Sequence, residues 1–116
     1  MPIGIDLVTI SRFTNHERIA KKILSENEYK EYSLSQNKMQ YVASRFCLKE
    51  AFLKSIKTGI LDLDLKEIEV VKETNGAIHI LFREKEYECS LSHELDTCVG
   101  VVIYDWYIFW SQISWL

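Results

Sequence analysis

The first ten residues set apolar side chains on both faces of an extended segment. Ile3, Ile5 and Leu7 point one way and Val8 and Ile10 the other. Such a segment predicts a strand over Ile3–Ile10 that is covered on both sides. The apolar period then lengthens. Ile19, Ile23 and Leu24 recur at helical spacing over 15–24, a short helix. Ser25 followed three residues later by Glu28 has the form of a capping box, which starts a second helix with Tyr29 and Tyr32 on its inner face. Met39, Val42, Ala43, Phe46, Leu53 and Ile56 keep a 3.6-residue period and predict the longest helix over 38–56, with Gly59 just beyond as a stop signal.

Beyond that helix the pattern turns to strands. Residues 67–74 and 77–83 flank Asn75-Gly76, a dipeptide suited to the positive φ angles of a type I′ hairpin. Residues 89–92 and 98–104 read as two more strands, with Ser92-His93-Glu94 at their junction. Trp106–Leu116 is an aromatic tail, expected to pack on the core or on a neighbouring subunit. Helices early and antiparallel strands late give an α+β fold, and 116 residues without repeats or linkers suit one domain over 1–116. A domain of that size often gains stability by associating with copies of itself.

Composition narrows the field. A net charge of −3 argues against a nucleic-acid partner, while leaving room for a local basic patch. Cys47, Cys89 and Cys98 are odd in number and none is paired as C-x-x-C, so neither a disulfide framework nor a zinc site is favoured. Reduced thiols in a cytoplasmic protein are the simpler reading. The N-terminus lacks the basic segment and cleavage pattern of a signal peptide, and no run approaches the roughly 20 apolar residues of a membrane span.

Two carboxylates break the pattern. Asp6 sits inside the first strand, where a charge needs a cation or hydrogen-bond donors; a partner arginine or backbone amides would also serve. Glu50, four residues after Phe46 and three before Leu53, falls on the apolar stripe of the long helix. Lys54 follows it by one turn, the spacing of an ordinary Glu–Lys pair. If the two carboxylates converge, they suit Mg²⁺, which takes one or two carboxylates plus water and substrate phosphate. Lys49 and Lys54 would add positive charge, pointing to metal-assisted chemistry on a phosphate ester or anhydride. Periodicity does not establish that Asp6 and Glu50 meet. Ser92-His93-Glu94 suits a phosphate contact, a proton transfer or a structural turn. Thr58-Gly59 would offer backbone amides to a phosphate.

These residues carry a resemblance. Ile3-Gly4-Ile5-Asp6 resembles the first signature of the 4′-phosphopantetheinyl transferase superfamily, and the run from Phe46 through Lys49-Glu50-Ala51 to Lys54 resembles the second. GIDLVTISRF, ILSENEY, ASRFCLKEAFLKSIKTGI and CSLSHELDTCVGVVI narrow it to the small single-domain type that modifies acyl carrier protein. The likeness runs over about residues 3 to 104. It implies an antiparallel sheet packed on a long central helix, in a trimer with active sites between subunits. It also implies transfer of 4′-phosphopantetheine from coenzyme A to a serine of acyl carrier protein, for fatty acid biosynthesis.

By the same resemblance, Asp6 and Glu50 would ligand Mg²⁺, with Glu50 and Lys54 as the catalytic pair. Lys54 would sit by the pyrophosphate or the leaving 3′,5′-ADP, and Lys49 would support the site electrostatically. Thr58, Gly59, Ser92 and His93 would lie near the nucleotide end of coenzyme A. Arg12 and Arg18 would meet the acidic helix of the carrier. The proton acceptor for the serine is open among a metal-bound water, Glu28 and another acidic group. This chain departs from the family in reading Lys57-Thr58-Gly59 for Gly-Thr-Gly, in a shorter stretch between Arg12 and Arg18, in lacking a proline after the hairpin glycine, and in its tail. Other uses of the same residues are a small Mg²⁺-dependent phosphohydrolase, a non-catalytic coenzyme A or nucleotide-binding module, and a plain oligomerisation domain.

Overall fold

The computed structural model describes residues 2–56 and 63–104. Strand β1 (Ile3–Thr9) runs into a 3₁₀ turn (Ile10–Arg12), then α1 (His16–Ile23), α2 (Glu26–Leu34) and α3 (Lys38–Ile56). A second 3₁₀ turn (Leu65–Glu67) leads to β2 (Glu69–Lys72), β3 (Ile78–Phe82), β4 (Lys85–Glu94) and β5 (Thr97–Ile103). The five strands form one antiparallel sheet in the order β1-β5-β4-β3-β2, with the long helix α3 packed across one face. The predicted α+β architecture is therefore the one found.

The helices begin and end where local chemistry directs. Ser25 Oγ accepts the Glu28 amide at 3.2 Å, and Glu28 Oε1 accepts the Ser25 amide at 2.8 Å, closing the predicted capping box. Helix α3 matches the predicted span. Its middle is buried on several sides, because α1 and α2 cover one flank and the sheet another. On its sheet side Phe52 is fully buried, with its ring 5.0 to 5.8 Å from those of Phe82, Tyr87 and Tyr104. Removing such a side chain from water contributes about 1.5–3 kcal/mol.

Two glycines set how closely α3 lies on the sheet. A Cβ on Gly4 would overlap the Ala51 carbonyl oxygen and lie 2.6 Å from the Ser55 amide. A Cβ on Gly100 would lie 3.0 Å from the Leu48 side chain and 3.2 Å from Cys47 Sγ. Asp6 pairs with Gly100 across the β1–β5 ladder. The strand residue that carries the carboxylate is thus held directly beneath the helix.

Three local expectations are corrected. Strand β1 is covered on one face only: Ile3, Ile5 and Leu7 are 54%, 58% and 66% exposed, because none of the described residues forms a second layer outside the sheet. The Asn75-Gly76 turn is not type I′, since only Gly76 has positive φ, and the Gly76 amide bonds back to the Glu73 carbonyl. The two-residue link with both residues at positive φ is Arg83-Glu84, between the paired residues Phe82 and Lys85. Finally, Ser92-His93-Glu94 closes β4 instead of interrupting it, so that strand is ten residues long.

Candidate functional site

The site grows from the contact between β1 and α3. Alternation along β1 turns Gly4, Asp6 and Val8 toward the helix. Cys47 on α3 reaches the Asp6 carbonyl oxygen, with Sγ 3.3 Å away. Glu50 lies three residues further along α3 and one before Ala51, which faces Gly4. Lys54, one turn later, sets its Nζ 2.8 Å from Asp6 Oδ1. The Asp6 side chain is 14% exposed and that of Lys54 55% exposed, so the carboxylate is enclosed and the ammonium comes in from solvent.

Electrostatics ties the three groups together. Burial raises the Glu50 carboxyl above its ordinary range, the Asp6 charge raises it further, and Lys54 opposes both. Lys54 itself is raised, chiefly by its hydrogen bond to Asp6. Two carboxylates therefore face one ammonium, which bonds to Asp6 and not to Glu50 in the ordinary i,i+4 pattern. Such oxygen donors fit a hard divalent cation. Among the described residues no group of three or more His, Cys, Asp or Glu side chains is placed to hold a metal. The remaining coordination positions of such a cation would fall to water and substrate oxygens.

Lys49 is not part of this cluster. It is fully buried, and its Nζ donates to Glu28 Oε1 at 2.7 Å, the Ile23 carbonyl at 2.7 Å and the Leu65 carbonyl at 2.9 Å. All three of its donors are engaged, so it has none left for a nucleotide. Glu28 is equally enclosed, and its Oε2 accepts the Val70 amide at 2.9 Å. That removes it as a candidate base. The reason lies in the helix itself: 49 and 50 are about 100° apart around α3, and the two side chains leave on different flanks.

Ser92 and His93 are both exposed, but they project from opposite faces of the sheet, as neighbours on a strand must. His93 pairs with Cys98, which pairs with Val8. By strand geometry it therefore lies about 12 Å from Asp6 within one chain. It borders a cavity of about 300 Å³ that Asn37, Gln40, Tyr41, Ser44 and Arg45 also line. His93 Nε2 is 3.3 Å from Gln40 Nε2.

Arg45 is the notable member of that cavity, and the sequence reading did not single it out. It is 7% exposed. Its guanidinium stacks on the Tyr41 ring at 4.2 Å, Nη1 donates to Ser44 Oγ at 3.1 Å, and Nη2 lies 3.8 Å from Glu31. Its Nε is buried without a hydrogen-bond partner, and an unpaired buried donor is costly. The signal was available: a lone cation between the inward Val42, Ala43 and Phe46.

Arg12 and Arg18 are exposed, the first on the 3₁₀ turn and the second on α1. Lys21 and Lys22, also exposed, follow Arg18 at i+3 and i+4, which puts all three along one side of α1. This local basic stripe stands out in a chain of net charge −3. Thr58 and Gly59, with Lys57, lie outside the described residues, as does the aromatic tail from 105 onward.

Comparison with known proteins identifies the family and the fold. A family model described as the 4′-phosphopantetheinyl transferase superfamily matches residues 2–106. The holo-[acyl-carrier-protein] synthase of Oceanobacillus iheyensis is 34% identical over 110 residues, covering 87% of this chain and 92% of that protein. That of Halalkalibacterium halodurans is 33% identical, covering 86% and 91%. Among solved structures, a holo-(acyl-carrier-protein) synthase from Bacillus anthracis in complex with CoA (3′,5′-ADP) superposes with a TM-score of 0.77 at 29% identity, covering 87% of this chain and 92% of that one. The Helicobacter pylori holo-[acyl-carrier-protein] synthase in complex with coenzyme A gives 0.74 at 27% identity, covering 87% and 97%.

Proposed function

The chain belongs to the 4′-phosphopantetheinyl transferase superfamily, and from that premise we propose that it moves 4′-phosphopantetheine from coenzyme A to a serine of apo acyl carrier protein, leaving 3′,5′-ADP. The observation that carries this reading is the meeting of Asp6, Glu50 and Lys54 where β1 passes under α3. Asp6 and Glu50 would hold Mg²⁺, which when bound supplies positive charge to the pyrophosphate of coenzyme A. Lys54, half in solvent, would orient the pyrophosphate and neutralise charge on the leaving 3′,5′-ADP. The serine oxygen forms the new bond to phosphorus as the bond to the leaving nucleotide breaks. Most of the acceleration in such a site comes from positioning and charge stabilisation.

The cavity beside His93 suits another anionic group of the same substrate. The Arg45 side chain lines it, and a guanidinium is well matched to phosphate. Arg12 and Arg18, continued by Lys21 and Lys22, form the surface we assign to the acidic carrier. The exposed face of Ile3, Ile5 and Leu7 is read as contact between copies of the chain, in keeping with a trimer. Such an arrangement would bring His93 or Ser92 of one subunit toward the carboxylates of another.

Intact-protein mass spectrometry tests the reaction. Apo acyl carrier protein is incubated with this protein, coenzyme A and Mg²⁺, with EDTA in a parallel sample. The expected result is a gain of one phosphopantetheine that EDTA abolishes. Nucleotide breakdown without a modified carrier would instead favour a phosphohydrolase. Coenzyme A binding that survives Glu50→Gln, with no product, would favour a binding module.

A further inference from the structure

Lys54 Nζ already occupies an oxygen that a metal would need. It lies 2.8 Å from Asp6 Oδ1, and the aspartate side chain is only 14% exposed. Glu50, the second carboxylate, feels the Lys54 charge but makes no ion pair among the described residues. A divalent cation that takes both carboxylates must displace the ammonium from Asp6. It would then stand beside a lysine with no partner, and like charges at that range repel. The lysine stem is long and more than half exposed, so it can swing outward if something anionic receives it. A phosphorylated substrate is such a receiver.

We propose that Lys54 is a displaceable counter-ion of the Asp6–Glu50 site, which disfavours a divalent cation alone and lets cation and phosphate ester bind together. The proposal rests on reading Asp6 and Glu50 as metal ligands. By linkage, coenzyme A raises the affinity for the cation by the same factor that the cation raises the affinity for coenzyme A. Part of that coupling comes from direct contact between cation and phosphate; the rest comes from moving Lys54. A lysine suits the role better than an arginine, whose planar fork would clamp the Asp6 carboxylate through two bonds.

Isothermal titration calorimetry with Mg²⁺, without carrier protein, separates these contributions. Wild type, Lys54→Met and Lys54→Arg are each titrated alone and with saturating coenzyme A, after circular dichroism has checked their fold. Lys54→Met is expected to bind Mg²⁺ alone about tenfold more tightly than wild type, and to lose a similar factor from its gain on adding coenzyme A. Lys54→Arg is expected to bind Mg²⁺ alone no more tightly than wild type. If Lys54→Met binds Mg²⁺ alone no better than wild type does, the counter-ion role is overturned while the metal site stands. If wild type takes up no Mg²⁺ even with coenzyme A, the ligand assignment of Asp6 and Glu50 fails and the counter-ion role goes with it.

Discussion

Helix α3 carries two lysine–carboxylate pairs, five residues apart, whose bond lengths are almost equal: 2.7 Å for Lys49–Glu28 and 2.8 Å for Lys54–Asp6. They do opposite work. Both side chains of the first pair are fully buried, and four backbone groups converge on it: the carbonyls of Ile23 and Leu65 and the amides of Ser25 and Val70. The second joins an enclosed aspartate to a lysine that is 55% exposed. Burial pulls the Lys49 ammonium down, with Glu28 opposing; the bond to Asp6 pushes Lys54 up. The length of an ion pair therefore says little about its role. What surrounds it decides whether it can open during a reaction.

Breaking the buried pair should have the largest effect. Lys49→Met leaves the Glu28 carboxylate enclosed without its cation, and such a loss costs about 3–5 kcal/mol. Urea denaturation should show this as a lower midpoint. A buried pair can often be replaced by hydrophobic residues at little cost, but here the four backbone groups also lose a partner. The double variant Lys49→Met/Glu28→Leu should therefore stay well below wild type. A double variant as stable as wild type would show that the hub is dispensable and erase the contrast between the pairs.

Gly4→Ala comes next. The added methyl collides with the Ala51 carbonyl, which is backbone and cannot rotate away, and overpacking of this kind costs about 1–3 kcal/mol. Lifting β1 off α3 also moves Asp6 relative to Glu50 and Lys54. The phosphopantetheine transfer rate, measured well below the melting temperature, should fall further than the fraction of folded protein. A rate that falls only in step with folding would mean that this close approach does not position the site.

Much of this could be read in the chain, and the misses share one cause. The span of α3 was legible because its apolar period is long, and the start of α2 because a capping box is local. Asp6 and Glu50 were legible as charges on apolar faces. Lys49 and Lys54 were read together as charge for one site, although five residues of helix separate them by about 140°. What spacing did not contain was the destination of each side chain. Glu28 closes its own helix and also reaches across to Lys49 and Val70, which only tertiary packing decides. The turns show the same thing. Asn75-Gly76 has the preferred residues for a type I′ link, yet the register of β3 and β4 puts that geometry on Arg83-Glu84. Ser92-His93-Glu94 reads as the junction of two strands, but β4 continues through it, and as strand neighbours Ser92 and His93 part to opposite faces.

The half-exposed pair should cost the fold much less than the buried one. Lys54→Ala removes an ammonium that is 55% exposed, and a pair with one partner in water contributes about 1 kcal/mol. Its transfer rate should nonetheless fall about a hundredfold, the scale seen when one charge-stabilising donor is lost from a reacting site. Equilibrium denaturation and carrier-modification rates on the same preparation give both values. A large stability loss with a modest rate loss would make Lys54 a second structural lysine.

The smallest expected effect on stability has the most informative sign. In EDTA at neutral pH, Glu50→Gln should melt slightly higher than wild type, although it abolishes transfer. Burial and the Asp6 charge raise the folded-state pKa of Glu50 above its unfolded value. The folded protein therefore holds the Glu50 proton more tightly than the unfolded chain does, and stability falls as pH rises through the folded pKa. Above that window the ionised Glu50 is a standing cost that glutamine does not carry. Below it Glu50 is protonated in both states, and the advantage of the variant should vanish. Melting curves of both proteins from neutral to acidic pH read this directly. A variant that melts lower than wild type at neutral pH would mean Glu50 is stabilised by its surroundings, as Glu28 is, and not held ready for a cation. A carboxylate that weakens the fold at the pH where it is charged is what a site built to receive positive charge predicts.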